Sequence, residues 1–215
     1  QMCIRDRKSD GTTPRIVTST LWEVRFPRLV IALAVGAGLG CAGALLQGIF
    51  ANPLAEPSII GVSSGGAVFA SGLLAIASLA GVERSYGFLK WGTALAAFIG
   101  ALLTTLLVYS LSRVQGKTVV VNLILVGVAI NAMAGGFVTL FSFIGGTMAQ
   151  SQVVFWQLGS LAGAGWSSAV ITLIITVIGI VIACLCAPKM DLLALGENQA
   201  RHLGVNVERF RLCVI

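Results

Sequence analysis

The sequence predicts an all-α, polytopic transmembrane bundle, and three observations carry that expectation. Only 10% of its 215 residues are charged, while 57% are hydrophobic. Soluble domains usually hold about 25% charged residues, so too little polar surface remains to face water. The mean hydropathy is +0.96. Finally, five long runs carry no Asp, Glu, Lys, Arg or His. A hydrocarbon layer about 30 Å thick needs roughly 20 apolar residues in a helix, and each run reaches that length.

The runs are residues 29–50, 58–82, 91–111, 119–144 and 166–187. In lipid every backbone N–H and C=O must be paired internally, which makes such runs helices. The alternation of a membrane β-barrel is absent. The 26 glycines fit the same solvent, since glycine is commoner in membrane helices than in soluble ones.

Between the runs the chain is punctuated. Ala51-Asn52-Pro53-Leu54-Ala55-Glu56-Pro57 contains two prolines, each of which interrupts a helix. Pro57 suits the first turn of the helix that follows. Residues 113–118 form a short basic turn, and residues 145–165 a polar, glycine-rich loop with room for a short helix. Residues 188–211 are the long hydrophilic stretch, in which 191–203 reads as one amphipathic surface helix capped by Gly204. The expected organisation is a lead-in over 1–28, a membrane domain over 29–187, a hydrophilic loop over 188–211, and a further span beginning at 212–215. The start at Gln1 to Arg7 has no apolar h-region behind it and reads as foreign, and the chain as a piece of a longer protein.

The net charge of +6 does not point to nucleic acid, because the basic residues lie in short connections rather than on one face. Membrane lipid headgroups and topology explain them. The charges do not orient the chain: six basic residues fall on one side and eight on the other, and the two sides become equal without Gln1 to Arg7. The cysteines give neither a CxxC pair nor metal-ligand spacing. No cofactor or metal site and no catalytic residue is expected.

Several motifs remain. Arg25-Phe26-Pro27-Arg28 precedes the first run, which continues with Gly36, Gly40 and Gln47. Asn52-Pro53-Leu54 and Pro57 follow, then Gly61-Val62-Ser63-Ser64-Gly65. Trp156-Gln157-Leu158-Gly159-Ser160-Leu161 comes late, then Leu192-Leu193-Ala194-Leu195-Gly196-Glu197, Ala200 and Leu203-Gly204. In this order and spacing the set resembles the iron–siderophore/cobalamin permease family of ABC importers, FecCD type, from about Leu21 to Arg211. That resemblance implies one subunit of a dimer or pseudo-dimer in the bacterial inner membrane. Two ATP-binding subunits would dock inside and a substrate-binding protein outside. The chain would supply the second to sixth of ten spans and the start of the seventh. It would place Arg25 and Arg28 outside and 188–211 in the cytoplasm.

Roles follow from the resemblance, each beside a plainer reading. Arg25 and Arg28 would pair with acidic residues of the binding protein, or else snorkel to the interface. Leu193, Ala194, Leu195, Gly196, Glu197, Ala200, Leu203 and Gly204 would form the ATPase-coupling turn, with Leu193, Leu195, Ala200 and Leu203 as its apolar contacts. The plainer reading is a solvated interfacial helix. Gln47, Asn52, Pro53, Leu54, Gly61, Ser63, Ser64, Gly65 and Asn131 would line the translocation pathway. The plainer reading is structural: glycines for close helix approach, prolines for a turn, and amides bonded between helices.

No Walker motif occurs, so ATP hydrolysis belongs to another subunit. A secondary transporter or channel would be favoured by an intramembrane carboxylate pair or an inverted repeat, and neither is present. Gly61 to Gly65 formally matches the G-x-S-x-G elbow of a hydrolase. That motif needs a preceding strand, and the sole histidine, His202, lies far along the chain.

Overall fold

The computed structural model describes residues 19–53, 55–81, 86–114, 117–161 and 163–214. Five of its helices are long and apolar enough to cross a membrane: Leu21–Phe50, Val62–Leu79, Trp91–Leu111, Val120–Ile144 and Trp166–Ala194. These described residues form two compact units. One combines residues up to 42 with 160–186; the other combines 43–159 with the residues from 187 onward.

In the first unit, a π-helical turn at Leu21–Arg25 leads directly into α1, Phe26–Phe50. The helix therefore starts before residue 29, and Arg25 and Arg28 stand on it. Pro27 explains the wide turn. It has no N–H to donate, and its ring would crowd a preceding carbonyl in a regular helix. The i→i−5 bond from Phe26 N–H to Leu21 O opens the turn that precedes it. Trp22 packs on Phe26 and Trp166 with ring centroids 5.5 and 5.3 Å apart. The Trp166 Nε1–H donates to the Trp22 carbonyl across 2.9 Å, and Thr176 lies 3.6 Å from where a Gly38 Cβ would sit. Trp166 opens the long helix α6, Trp166–Ala194, whose later turns belong to the second unit.

The second unit holds the packed helices. α1 ends in a Schellman arrangement: Asn52 N–H bonds Gln47 O at 3.1 Å and Ala51 N–H bonds Gly48 O at 3.3 Å. Ala51 takes the left-handed position at φ 48°, where glycine is usual. Pro57 then begins a separate 3₁₀ turn, Pro57–Ile60, rather than the next helix. Gly61, at φ 82°, closes that turn and opens α2, Val62–Leu79. A residue with a Cβ is strained in this backbone region.

α2 packs closely on α3, Tyr86–Leu111. A Cβ on Gly65 would lie 2.5 Å from the Gly100 carbonyl oxygen, and one on Gly100 would lie 2.6 Å from Phe69 Cβ. Small residues let the two backbones approach, and dispersion rather than water exclusion holds them together in lipid. The basic turn after α3 is a short antiparallel hairpin, β1 Arg113–Val114 with β2 Lys117–Thr118, pairing Arg113 with Thr118. α4, Val120–Ile144, follows. Leu46, Ala55, Ile60, Val108 and Leu123 form the buried core where α1, the 3₁₀ turn, α3 and α4 meet.

The glycine-rich segment at 145–165 contains a real helix, α5, Gly146–Leu158. Beyond it, α6 runs through Pro188 to Ala194, so the expected boundary at 187 is not a helix end. Proline forfeits one i→i−4 bond there, and Lys189, Met190, Leu192, Leu193 and Ala194 are good helix formers that carry the helix on. Residues 191–203 are not one helix. Leu195 and Gly196 divide them, and α7, Glu197–His202, and α8, Val207–Val214, complete the chain.

Candidate functional site

A cavity of 1010 Å³ opens between α2, α3, α4 and α5. Its spans supply small residues: Gly66 and Ala67 from α2, Ala97 and Ala101 from α3, Ala134 and Gly135 from α4. Among the described residues its polar groups are all neutral, including Ser63, Ser64, Asn131, Gln150 and Gln157, and no Asp, Glu, Lys, Arg or His lines it. Small side chains leave room for a bulky solute. Neutral amides and hydroxyls bond to it without the desolvation that a buried charge would demand.

Ser63, Ser64 and Asn131 are the pathway candidates that meet at this cavity. The Asn131 Nδ2 donates to the Ser58 carbonyl across 3.1 Å, which ties α4 to the 3₁₀ turn, and its Oδ1 is buried with no partner among the described residues. Ser64 Oγ donates to the Gly61 carbonyl at 3.2 Å, closing the first turn of α2. Gly61 and Gly65 act through the backbone, beside Thr104 of α3, and do not line the cavity. Gln47, Asn52 and Pro53 do not line it either: Gln47 and Pro53 are exposed, and Asn52 is half-buried in the turn after α1. Leu54 lies outside the described residues. Gly36 and Gly40 have no atom within 4 Å of where a Cβ would sit, so they make no close helix contact among the described residues.

Sequence reasoning missed Gln150 and Gln157. They stand seven residues apart, two turns of α5, and so share a face. Reading 145–165 as mainly loop hid that spacing. Gly127 was missed as well: a Cβ there would drive into the Ile59 carbonyl oxygen, so the close fit of α4 on the 3₁₀ turn depends on glycine.

Arg25 and Arg28 are one helical turn apart, which makes them neighbours on one face of the lead-in. The aromatic group of Trp22, Phe26 and Trp166 sits at the same end of that unit. Tryptophan at such a position suits a membrane–water interface.

The second unit carries the glycine-punctuated turn. Leu193 and Ala194 belong to the last turn of α6. Gly196 has φ 111° and ψ 146°, a conformation essentially confined to glycine, and its carbonyl accepts from Ala200 N–H at 3.0 Å to begin α7. α7 ends in a Schellman motif, with Val205 N–H on Ala200 O and Gly204 N–H on Arg201 O, both at 3.0 Å. Gly204 is thus the helix terminator that the sequence indicates. Leu195 and Leu203 are 67% and 60% exposed. Ala200 corrects the expectation: it is 0% exposed, a small residue packed inward, and offers no contact surface to a docking protein. Glu197 is not a contact point alone either, since its carboxylate bonds Arg201 at 2.6 Å and Arg211 at 3.3 Å.

Known proteins resemble this arrangement. The FecCD transport family matches residues 7–215. A cobalamin import system permease protein, BtuC, of Halobacterium salinarum is 36% identical over 197 residues, covering 92% of this chain and 50% of that protein. A hemin transport system permease protein, HmuU, of Yersinia pestis is 34% identical, covering 89% of this chain and 56% of its own. A solved metal-chelate type ABC transporter in an inward-facing conformation superposes with a TM-score of 0.79 at 30% identity. It covers 96% of this chain and 63% of the other. The chain spans about half the length of the curated relatives it matches.

Proposed function

Because the chain belongs to the FecCD transport family, we propose that the full-length protein is the membrane-spanning permease subunit of an ATP-driven importer, and that its solute is a bulky metal chelate of the siderophore, haem or cobalamin kind. The observation that carries the reading is the uncharged cavity of 1010 Å³ walled by spans with small side chains. A large, preformed chelate needs space and neutral hydrogen-bonding groups. A proton- or ion-coupled carrier would instead be expected to place an ionisable group at membrane depth. Among the described residues no such group lines this cavity.

The permease does no covalent chemistry. An ATP-binding subunit would dock on the turn formed by the end of α6 and by α7, where Leu195 and Leu203 stand exposed. Its closure on ATP would displace that turn and alter which side of the cavity is open. A substrate-binding protein would dock on Arg25 and Arg28, whose planar, permanently charged forks match carboxylates. A second permease copy would complete the pathway within the cytoplasmic membrane.

The test is uptake by proteoliposomes holding the full-length protein with its ATP-binding and solute-binding partners. Radiolabelled cobalamin, haem and a ferric siderophore should be offered in turn. ATP-dependent accumulation of one of them is the expected result. Uptake driven by an ion gradient without ATP would replace this reading by that of a secondary transporter.

A further inference from the structure

Arg211 is a cation held where few cations are kept. It is 6% exposed, and three groups converge on it: one from its own helix, one from α7 and one from the β1–β2 hairpin. Its Nη2 lies 3.3 Å from Glu197 Oε2, its Nη1 lies 3.6 Å from Glu208 Oε1, and the same Nη1 donates to the Thr118 carbonyl at 3.5 Å. Glu208 is itself occupied twice. Its carboxylate accepts from Thr118 N–H at 3.2 Å and from Thr118 Oγ1–H at 2.8 Å. The Tyr109 hydroxyl donates to the Glu208 carbonyl at 3.3 Å.

The placement matters more than the bonds. Glu197 begins α7, Glu208 and Arg211 are on α8, Thr118 closes the β1–β2 hairpin, and Tyr109 is in the last turn of α3. The hairpin joins α3 to α4, and both helices wall the cavity. One buried guanidinium therefore fastens the glycine-punctuated turn to the two cavity helices. Glu197–Arg201 alone, exposed at 40% on both sides, would hold nothing beyond α7. A buried ion pair is a poor source of stability compared with apolar packing, but it fixes one arrangement, because breaking it strands a charge away from water.

We propose that Arg211 is a positioning residue: with Glu197, Glu208 and Thr118 it latches α7 and α8 to the hairpin as one body, so that a push delivered to the turn reaches α3 and α4. This rests on the permease reading above, because the push comes from a docked ATP-binding subunit. Gly196 and Gly204 bound α7 on both sides and would let the short helix swing by itself. The latch removes that freedom on the side facing the hairpin.

The experiment uses the full-length protein assembled with its ATP-binding subunit in proteoliposomes. Three readouts are taken: co-purification of the subunits, solute moved per ATP hydrolysed, and the distance between spin labels at His202→Cys and Val114→Cys with and without ATP. Both label sites are exposed. In the native background the label distance should stay sharp and unchanged by ATP. Arg211→Met, which keeps the bulk and removes the charge, should still assemble, yet move about tenfold less solute per ATP and broaden the distance distribution. Arg211→Lys should recover part of both. Thr118→Val removes only the hydroxyl bond to Glu208 and serves if Arg211→Met does not assemble; it should lower the ratio about threefold. A native-like ratio and distance in Arg211→Met, or in Thr118→Val if that is the variant used, would overturn the latch. So would a native distance that itself changes with ATP. In those cases the native assembly still transports and the permease reading stands. If the native protein binds no ATP-binding subunit at all, both fall together.

Discussion

The side-chain amide of Asn131 reaches from α4 to the backbone carbonyl of Ser58, 3.1 Å away. One residue thus links a cavity-lining helix to the 3₁₀ turn that precedes α2. In hydrocarbon an amide without a partner is costly, so this bond orients Asn131 and leaves its Oδ1 for other use. Asn131→Ala should lower the stability of the full-length protein in detergent by about 0.5–2 kcal/mol. Asn131→Asp keeps the shape but removes the donor and should be no better. Thermal unfolding followed by tryptophan fluorescence checks both, and an unchanged Asn131→Ala melt would remove the structural role.

Gly127 of α4 faces the Ile59 carbonyl, which a Cβ at that position would strike. A methyl group there cannot be absorbed by a flexible side chain, since the neighbour is main chain. Gly127→Ala should cost about 1–3 kcal/mol, the usual range for overpacking, and should shift the unfolding midpoint accordingly. A neutral result would mean that α4 and the turn can separate freely.

Ala51 sits at φ 48° in the Schellman end of α1. A left-handed residue with a Cβ costs roughly 1–2 kcal/mol, which glycine avoids. Ala51→Gly should therefore stabilise the protein by about 1 kcal/mol, and Ala51→Val should destabilise it. Unfolding midpoints of the two variants should move in opposite directions.

Gly196 occupies a backbone region that other residues rarely enter. Gly196→Pro should leave membrane insertion intact, because the spans are untouched, while ATP hydrolysis continues without solute movement. Uptake and hydrolysis measured on the same proteoliposomes decide the matter, and normal uptake would show that the turn geometry is dispensable.

Reversing the charge at Arg25 and Arg28 together should weaken docking of the solute-binding protein. Exposed charge pairs are screened by salt, so the native affinity should fall as ionic strength rises and the variant's should not. Surface plasmon resonance across a salt series reads this directly.

The spans were legible because the solvent dictates them: a long uncharged run has one stable form in lipid. The family was legible from glycines, prolines and the coupling-turn pattern in their order. What escaped were features set by tertiary neighbours. Nothing local marks Gly127 or Gly100 as a contact point, since that depends on which carbonyl lies opposite. Ala200 looked like a docking residue by its place in the pattern, yet a methyl group 0% exposed is packing. Arg211 looked like another basic residue of a hydrophilic loop. Only folding brings Thr118, 93 residues earlier, against it. The single helix expected over 191–203 failed at Gly196, where the chain turns so sharply that no regular helix passes.

The most direct test of the central claim is a crosslink at the turn. Leu203, exposed at 60%, is replaced by cysteine in a cysteine-free, full-length background and co-expressed with the ATP-binding subunit. The account predicts a specific crosslink between the two chains whose yield changes with ATP. A protein that inserts well and yields no crosslink in any nucleotide state would contradict it.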